Sequence, residues 1–105
     1  MDELLQKIWH NFPQFEAYRS DLNARFSERI EVRFGNGFGA SVVRGRFTYG
    51  GPEGLFEMAV LDDAGELHYH NPVADGDVKG WLGTEDVLRL LNEISTFDPE
   101  MLSAG

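Results

Sequence analysis

Two imidazoles, His68 and His70, are separated by one residue. Side chains two positions apart on a strand lie on the same side, so this pair could share one metal ion. A divalent site usually takes a third ligand, which His10, Glu57 or Glu66 would supply. The alternative is a pair of solvent-facing histidines on the polar side of an edge strand. His68 and His70 are therefore candidate metal ligands, and no cofactor is assigned to them.

The segment that begins at Asp75 matches a calcium-binding loop in part. Asp75, Asp77 and Asp86 place carboxylates at the first, third and twelfth positions, and Gly80 stands at the sixth. Lys79, however, places a cation at the fifth position, where the loop needs a ligand, and no helix is predicted before Asp75. We interpret the segment as a polar turn that leads into a helix.

The available nucleophiles and acids form no catalytic constellation. The chain has no cysteine, which excludes thiolate nucleophiles, disulfides and metal sites built on sulfur. Neither Ser41 nor Ser103 stands in a nucleophile-elbow sequence. Asp62 and Asp63 lie in a predicted turn, where acidic side chains serve the backbone and stay solvated. The chain is therefore expected to act without catalysis.

Glu57 is a carboxylate in the middle of an otherwise apolar strand. An unpaired charge there would be costly, so Glu57 is expected either to face solvent or to pair with Arg33 or Arg44 across the sheet. A structural ion pair is favoured over a role as general base.

Two glycine-framed loops carry aromatic side chains, one after the second predicted strand and one before the final helix. Aromatic side chains bury a large area with few rotatable bonds, which suits them as interaction anchors. The alternative is that they fold back over the ends of the core. The candidate partner-binding residues in and beside these loops are Phe47, Tyr49, Trp81, Asp75 and Asp77.

Length and charge restrict the class of protein. A chain of 105 residues fits one domain, and a hydrophobic content of 42% is ordinary for a folded one. The formal net charge of −9 argues against direct binding to nucleic acid, because that affinity comes from Lys and Arg. No run is apolar enough for a signal peptide or a membrane span, so a cytoplasmic protein is expected. The acidic surplus serves solubility or docks onto a basic partner.

Helical spacing dominates the first part of the chain, residues 2–27. A first helix is predicted over 2–12, and Pro13 then interrupts it. A second amphipathic segment follows, in which Phe15, Tyr18, Leu22 and Phe26 share one face.

From residue 29 to 70 the apolar period changes to two, which predicts a four-stranded antiparallel meander. The predicted strands are 29–34, 38–44, 55–61 and 67–69. A glycine turn joins the first two, and Asp62–Gly65 joins the last two as a hairpin. In the fourth strand the apolar side chains of Leu67 and Tyr69 share one face, and Glu66, His68 and His70 share the opposite, polar one.

A loop is predicted over 71–83 and a helix over 84–96, with Thr84 as its N-cap. Its buried face is predicted to hold Val87, Leu88, Leu91 and Ile94, with Leu90 near the edge. The tail 99–105 is expected to fray. The fold class is therefore α+β, with the C-terminal helix packed on one face of the sheet.

Strand and turn residues of the second half form a recognisable pattern: Tyr49–Gly51, Gly54–Leu61, Leu67 with Tyr69, and Asp77–Leu82. Across about residues 37 to 94 this pattern resembles small phage- and prophage-encoded proteins of unknown function. The resemblance implies a bacterial context and a phage accessory protein that binds a protein rather than catalyses a reaction. It carries no catalytic residues.

These observations lead us to expect a small accessory protein that engages a host or phage protein, in one version as a homodimer. The first alternative is an acidic inhibitor that imitates nucleic acid on a host defence or regulatory protein. The second is a metal-binding protein or enzyme that uses His68 and His70. The first alternative requires one set of carboxylates to converge on a single surface, namely Asp62, Asp63, Glu66, Asp75, Asp77, Glu85 and Asp86.

Overall fold

The structure, a computed structural model, describes residues 1–20, 27–74, 76 and 78–104. Two main helices flank the strands in the sequence: α1 (Asp2–Asn11) precedes them and α2 (Thr84–Ser95) follows them. The strands are β1 (Glu16–Arg19), β2 (Ser27–Arg33), β3 (Gly39–Gly45), β4 (Phe56–Leu61) and β5 (Lys79–Leu82). A 3-10 turn (Gly51–Glu53) precedes β4, and a short helix α3 (Met101–Ala104) follows α2.

The described strands form one sheet in the order β1-β2-β3-β4-β5, and each pairs antiparallel with the next. This confirms the α+β class, the antiparallel sheet and the helices at both ends. The predicted number of strands, four, is wrong, because the described chain contributes five.

The second helical segment predicted within 2–27 is wrong where the structure describes it. Residues 16–19 form β1, in register with β2 from Glu16 opposite Arg33 to Arg19 opposite Ile30. Ala17 is buried on the face that Val32 shares, so pairing at the sheet edge satisfies the backbone and the apolar side chain together. Leu22 and Phe26 lie outside the described residues.

The predicted hairpin forms its turn and only the beginning of its second strand. The backbone N–H of Asp62 donates to the Glu66 carbonyl at 2.8 Å, and Gly65 takes a left-handed φ of 81°. The N–H of His68 still donates to the Val60 carbonyl at 2.8 Å, but Leu67 makes only an isolated bridge to Leu61. The fourth strand predicted over 67–69 is therefore absent.

The place beside β4 that the predicted fourth strand would fill is taken by β5, in a segment predicted as loop. Leu82 lies opposite Phe56 and Lys79 opposite Met58, with a register shift between the two pairs. One more residue on β5 than on β4 makes this a bulged pairing, which a search for regular alternation does not find.

The helices cover one face of the sheet, here called the inner face, as their apolar stripes predict. α2 contacts β3, β4 and β5, and α1 contacts β1. On α2, Val87, Leu91 and Ile94 are buried as predicted. Leu90, predicted near the edge, is buried too, while Leu88, predicted to be buried, lies at the edge of the core. The fully buried residues of this core are Ile8, Ile30, Val32, Phe38, Ala40, Val42, Met58, Val60, Val87, Leu91 and Ile94.

Polar side chains close both ends of α2. Gly83, one residue before the predicted Thr84, is the N-cap, and its N–H donates to the Asp86 carboxylate at 2.9 Å. At the other end the Asn36 amide donates to the carbonyls of Ile94 at 2.8 Å and Phe97 at 3.0 Å. The turn predicted between β2 and β3 therefore also caps the helix.

The tail expected to fray contains α3 instead. Met101 and Leu102 are half-buried and pack against the core, and the Met101 carbonyl lies 3.1 Å from the His68 ring Nε2. This hydrogen bond fixes the tail to the chain that follows β4.

Candidate functional site

Tyr49 and Trp81 lie side by side at one end of β4, although 32 positions separate them in the sequence. The backbone N–H of Trp81 donates to the Tyr49 carbonyl at 3.2 Å. Their side chains are 62% and 60% exposed, so they do not fold back over the core. We call this pair the aromatic corner.

Glycines allow the two backbone segments of the aromatic corner to touch. A Cβ on Gly80 would lie 2.4 Å from the Tyr49 Cβ, and one on Gly50 would lie 3.0 Å from the Trp81 Cα. Gly50 also has a left-handed φ of 85°, which a side chain would strain. Gly50 and Gly80 therefore allow the backbones that carry the two rings to lie in contact.

Trp81 itself has a left-handed φ of 59°, the only such non-glycine residue in the described chain. A bulky residue in this region of φ costs of order 1–2 kcal/mol, and such outliers concentrate at functional positions. The bulge in β5 places Trp81 there, with its side chain directed away from the core.

Glu57 fixes the Tyr49 side of the corner. Its Oε2 accepts the Tyr49 backbone N–H at 2.9 Å, so this hydrogen bond holds the loop before β4 against that strand. The expected cross-strand partners are engaged elsewhere, since Arg44 pairs with Glu28 at 3.1 Å. Arg33 pairs with Glu31 at 3.4 Å. Sequence reasoning noticed Glu57 but missed this role, because a carboxylate that accepts a loop amide leaves no pairing pattern.

Phe47, the third aromatic candidate, lies on the same loop as Tyr49, in the turn that follows β3. Its side chain is 75% exposed. The turn is closed by Thr48, whose hydroxyl accepts the Gly45 N–H at 2.9 Å.

A groove of about 360 Å³ runs along the face opposite the helices, here called the outer face. Val78 and Leu67 line it beside the buried Ala59 and Leu61, and Glu57 lines the end nearest the aromatic corner. Glu66 and Arg29 add a carboxylate and a guanidinium. We call this the outer groove. Sequence reasoning missed it, because Leu67 was predicted only to share an apolar strand face with Tyr69.

Glu31 forms ion pairs with both Arg29 and Arg33 on the outer face. It accepts hydrogen bonds from the Tyr18 hydroxyl at 2.7 Å and from Arg29 at 3.2 Å, and Arg33 Nε lies 3.4 Å away. Burial alone would raise the pKa of Glu31, but these hydrogen bonds and the two arginine charges outweigh it and lower the pKa. The hydrogen bond to Glu31 also raises the pKa of Tyr18.

The two candidate metal ligands are separated by burial. His68 is only 4% exposed because it lies opposite Val60 on the inner face, whereas His70 is exposed. The His68 ring packs edge-on against Phe38, and its Nδ1 lies 3.3 Å from the Asn71 amide. The prediction that His68 faces solvent is therefore wrong. In residues 1–20, 27–74, 76 and 78–104, no group of three His, Asp or Glu could hold a metal ion.

The described carboxylates required by the nucleic-acid mimic lie at two ends of the sheet. Asp62 follows Leu61, the last residue of β4. Asp86 lies beyond Leu82, which pairs with Phe56, the first residue of β4. Six strand residues separate these ends by about 17–20 Å. Asp75 and Asp77, the remaining partner-binding candidates, lie outside the described residues.

Across the described part of the chain, no helix has the length and apolar character needed to span a bilayer. Comparison with known proteins adds no relative: no family model, no curated protein and no solved structure matches this chain.

Proposed function

We propose that this chain is a non-catalytic accessory protein, of phage or prophage type, that binds another protein through its aromatic corner. The observation that carries the proposal is the exposure of Tyr49 and Trp81 on a backbone that glycine contacts hold in place. Tyrosine and tryptophan dominate the energy of many protein interfaces, because each buries a large area with little loss of rotamer freedom.

The backbone of the corner supports binding rather than folding as the purpose of Trp81. A left-handed φ at a bulky residue lowers the stability of the free chain, and an exposed indole recovers little of that loss in the core. Burial against a partner at about 25 cal/mol per Å² would recover more than the strain costs.

The resemblance to phage- and prophage-encoded proteins supports a partner among host or phage proteins. The net charge of −9 favours a partner with a basic surface, since opposite potentials speed encounter and like charges oppose it.

The experiment is an affinity capture from bacterial lysate at low and at moderate salt, with bound proteins identified by mass spectrometry. The test variant is Tyr49→Ser with Trp81→Asn, and the matched control is Tyr69→Ser, which changes another exposed aromatic. We expect the wild type and the control to capture one stoichiometric partner and the double variant to lose it, with all three folded by circular dichroism.

Equal capture by all three chains would contradict the aromatic corner as the binding surface. A second copy of the chain as the captured protein would support the homodimer version, and absence of any partner at either salt would contradict the proposal.

A further inference from the structure

The aromatic corner and the outer groove form one continuous surface. Glu57 lines the groove and also accepts the N–H of Tyr49, and Val78 lines the groove one residue before β5, which carries Trp81. A ligand that covers the two rings therefore reaches the groove directly.

We infer that the partner presents a short extended segment bearing Lys or Arg, which lies along β4 in the outer groove and places an aliphatic or cationic side chain on the aromatic corner. This inference rests on the proposed protein-binding function and specifies the chemistry of the partner.

The dimensions favour a segment over a folded face. β4 lines the groove from Glu57 to Leu61, and an extended peptide of five residues, about 17 Å long, spans the same stretch. Two partly exposed rings at about 200 Å² each offer far less than the ~800 Å² per partner that a stable globular interface needs. A volume of about 360 Å³ suits a few side chains.

The charges lining the groove favour a cationic segment. Arg29 is committed, since its Nε donates to Ser41 at 2.8 Å, its NH1 to Ser20 and its NH2 to Glu31 at 3.2 Å. The carboxylate of Glu66 and the second oxygen of Glu57, whose Oε2 accepts the Tyr49 N–H, then remain to meet a ligand. Two copies of a chain with net charge −9 would repel, which argues against self-association on this face.

The aromatic corner adds a second reason for Lys or Arg. A cation over the face of an exposed tryptophan or tyrosine is attracted by about 0.5–1 kcal/mol, and the aliphatic stem of either side chain packs on the ring. A carboxylate at the aromatic corner strengthens this preference, and Glu57 accepts the backbone N–H of Tyr49.

The test is a selection from a library of random short peptides on the immobilised full chain, followed by fluorescence-anisotropy titration of the selected peptides. We expect enrichment of Lys and Arg alternating with aliphatic residues, and binding that weakens as salt rises. Glu57→Gln should weaken binding by about 3–10-fold, because the charge is lost while an amide oxygen can still accept the Tyr49 N–H. The matched control is Glu85→Gln, on the first turn of α2, which should bind as the wild type does.

Enrichment of neutral or acidic peptides, or equal effects of Glu57→Gln and Glu85→Gln, would overturn the inference. So would a failed selection by a chain that captures a whole partner through Tyr49 and Trp81, although the proposed function would then stand. If the double variant Tyr49→Ser with Trp81→Asn captures the partner as the wild type does, both fail.

Discussion

Two regions at opposite ends of β4 invert the usual relation between polarity and burial. Beyond Leu61, His68 and Asn71 are buried polar residues; beside Phe56, Tyr49 and Trp81 are exposed aromatic ones. The buried pair is satisfied by hydrogen bonds, whereas the exposed pair is held by its backbone. The difference indicates that one region serves the fold and the other is available to a partner.

The His68–Asn71 region stabilises a connection that has little regular structure. The Asn71 amide donates to the His68 carbonyl at 2.9 Å, and its oxygen accepts the N–H groups of Val73 at 3.1 Å and Ala74 at 2.8 Å. Since His68 Nε2 faces a carbonyl, it is the donor there, and Nδ1 is then the acceptor that faces the Asn71 amide.

The largest effect should come from Asn71→Ala. The substitution leaves the N–H groups of Val73 and Ala74 and the Nδ1 of His68 without these partners, and we expect the free energy of unfolding to fall by about 3 kcal/mol. Asn11→Ala, at an exposed asparagine of α1, should change it by less than about 0.5 kcal/mol. Urea denaturation of both variants makes the measurement. A small effect at Asn71 would break the comparison, because the buried polar region would then not support the fold.

Asn36→Ala tests whether the same device operates at the end of α2. Loss of the amide that caps the carbonyls of Ile94 and Phe97 should cost about 1–2 kcal/mol in the same denaturation experiment. An unchanged midpoint would show that water replaces the cap at that end.

The left-handed backbone of Trp81 gives a smaller, more specific effect. Asparagine tolerates this φ and valine does not, so Trp81→Asn should be more stable than Trp81→Val by about 1 kcal/mol. At Tyr69, which is exposed but has no positive φ, the same two substitutions should not favour asparagine. Equal stability of the two Trp81 variants would show that the left-handed backbone at this position is not strained.

Glu31 is intermediate between the two regions, a partly buried carboxylate with several partners. Its lowered pKa means that its stabilising contribution is fully present above the usual value near 4.5 and is lost as the pH falls through the lower folded value. Stability should therefore fall less steeply with decreasing pH below about pH 5 in Glu31→Gln than in the wild type, and Tyr18→Phe should lie in between. If stability depends on pH equally in Glu31→Gln and in the wild type, Glu31 is not stabilised by Tyr18, Arg29 and Arg33 as described.

The sequence predicts those elements whose signal is local. The helix before Pro13, the strands β2 to β4, and α2 all have apolar patterns long enough to decide between periods. β1 has only four residues, and the three-residue spacing of Phe15 and Tyr18 favours a helix, although in the structure Phe15 is buried and Tyr18 is exposed. β5 contains Gly80 and a bulge, and neither gives a strand signal.

The candidate site was predictable in its parts and not in its assembly. Glycine framing identifies Tyr49 and Trp81 separately, but their contact depends on the bulged register between β4 and β5. The burial of His68 depends on an acceptor 33 residues later, at Met101. Such long-range pairings leave no trace in the local pattern of a single sequence.

The order of the strands has a consequence for how the chain folds. Every described strand pairs with its immediate successor, so the sheet can grow one strand at a time as residues leave the ribosome. The inner face is nevertheless not covered until α2 packs on it, and the last turn of α2 is capped by Asn36, 58 residues before Ile94. Until that helix is synthesised, a nascent sheet with an uncovered apolar face is the species most exposed to aggregation and to chaperones.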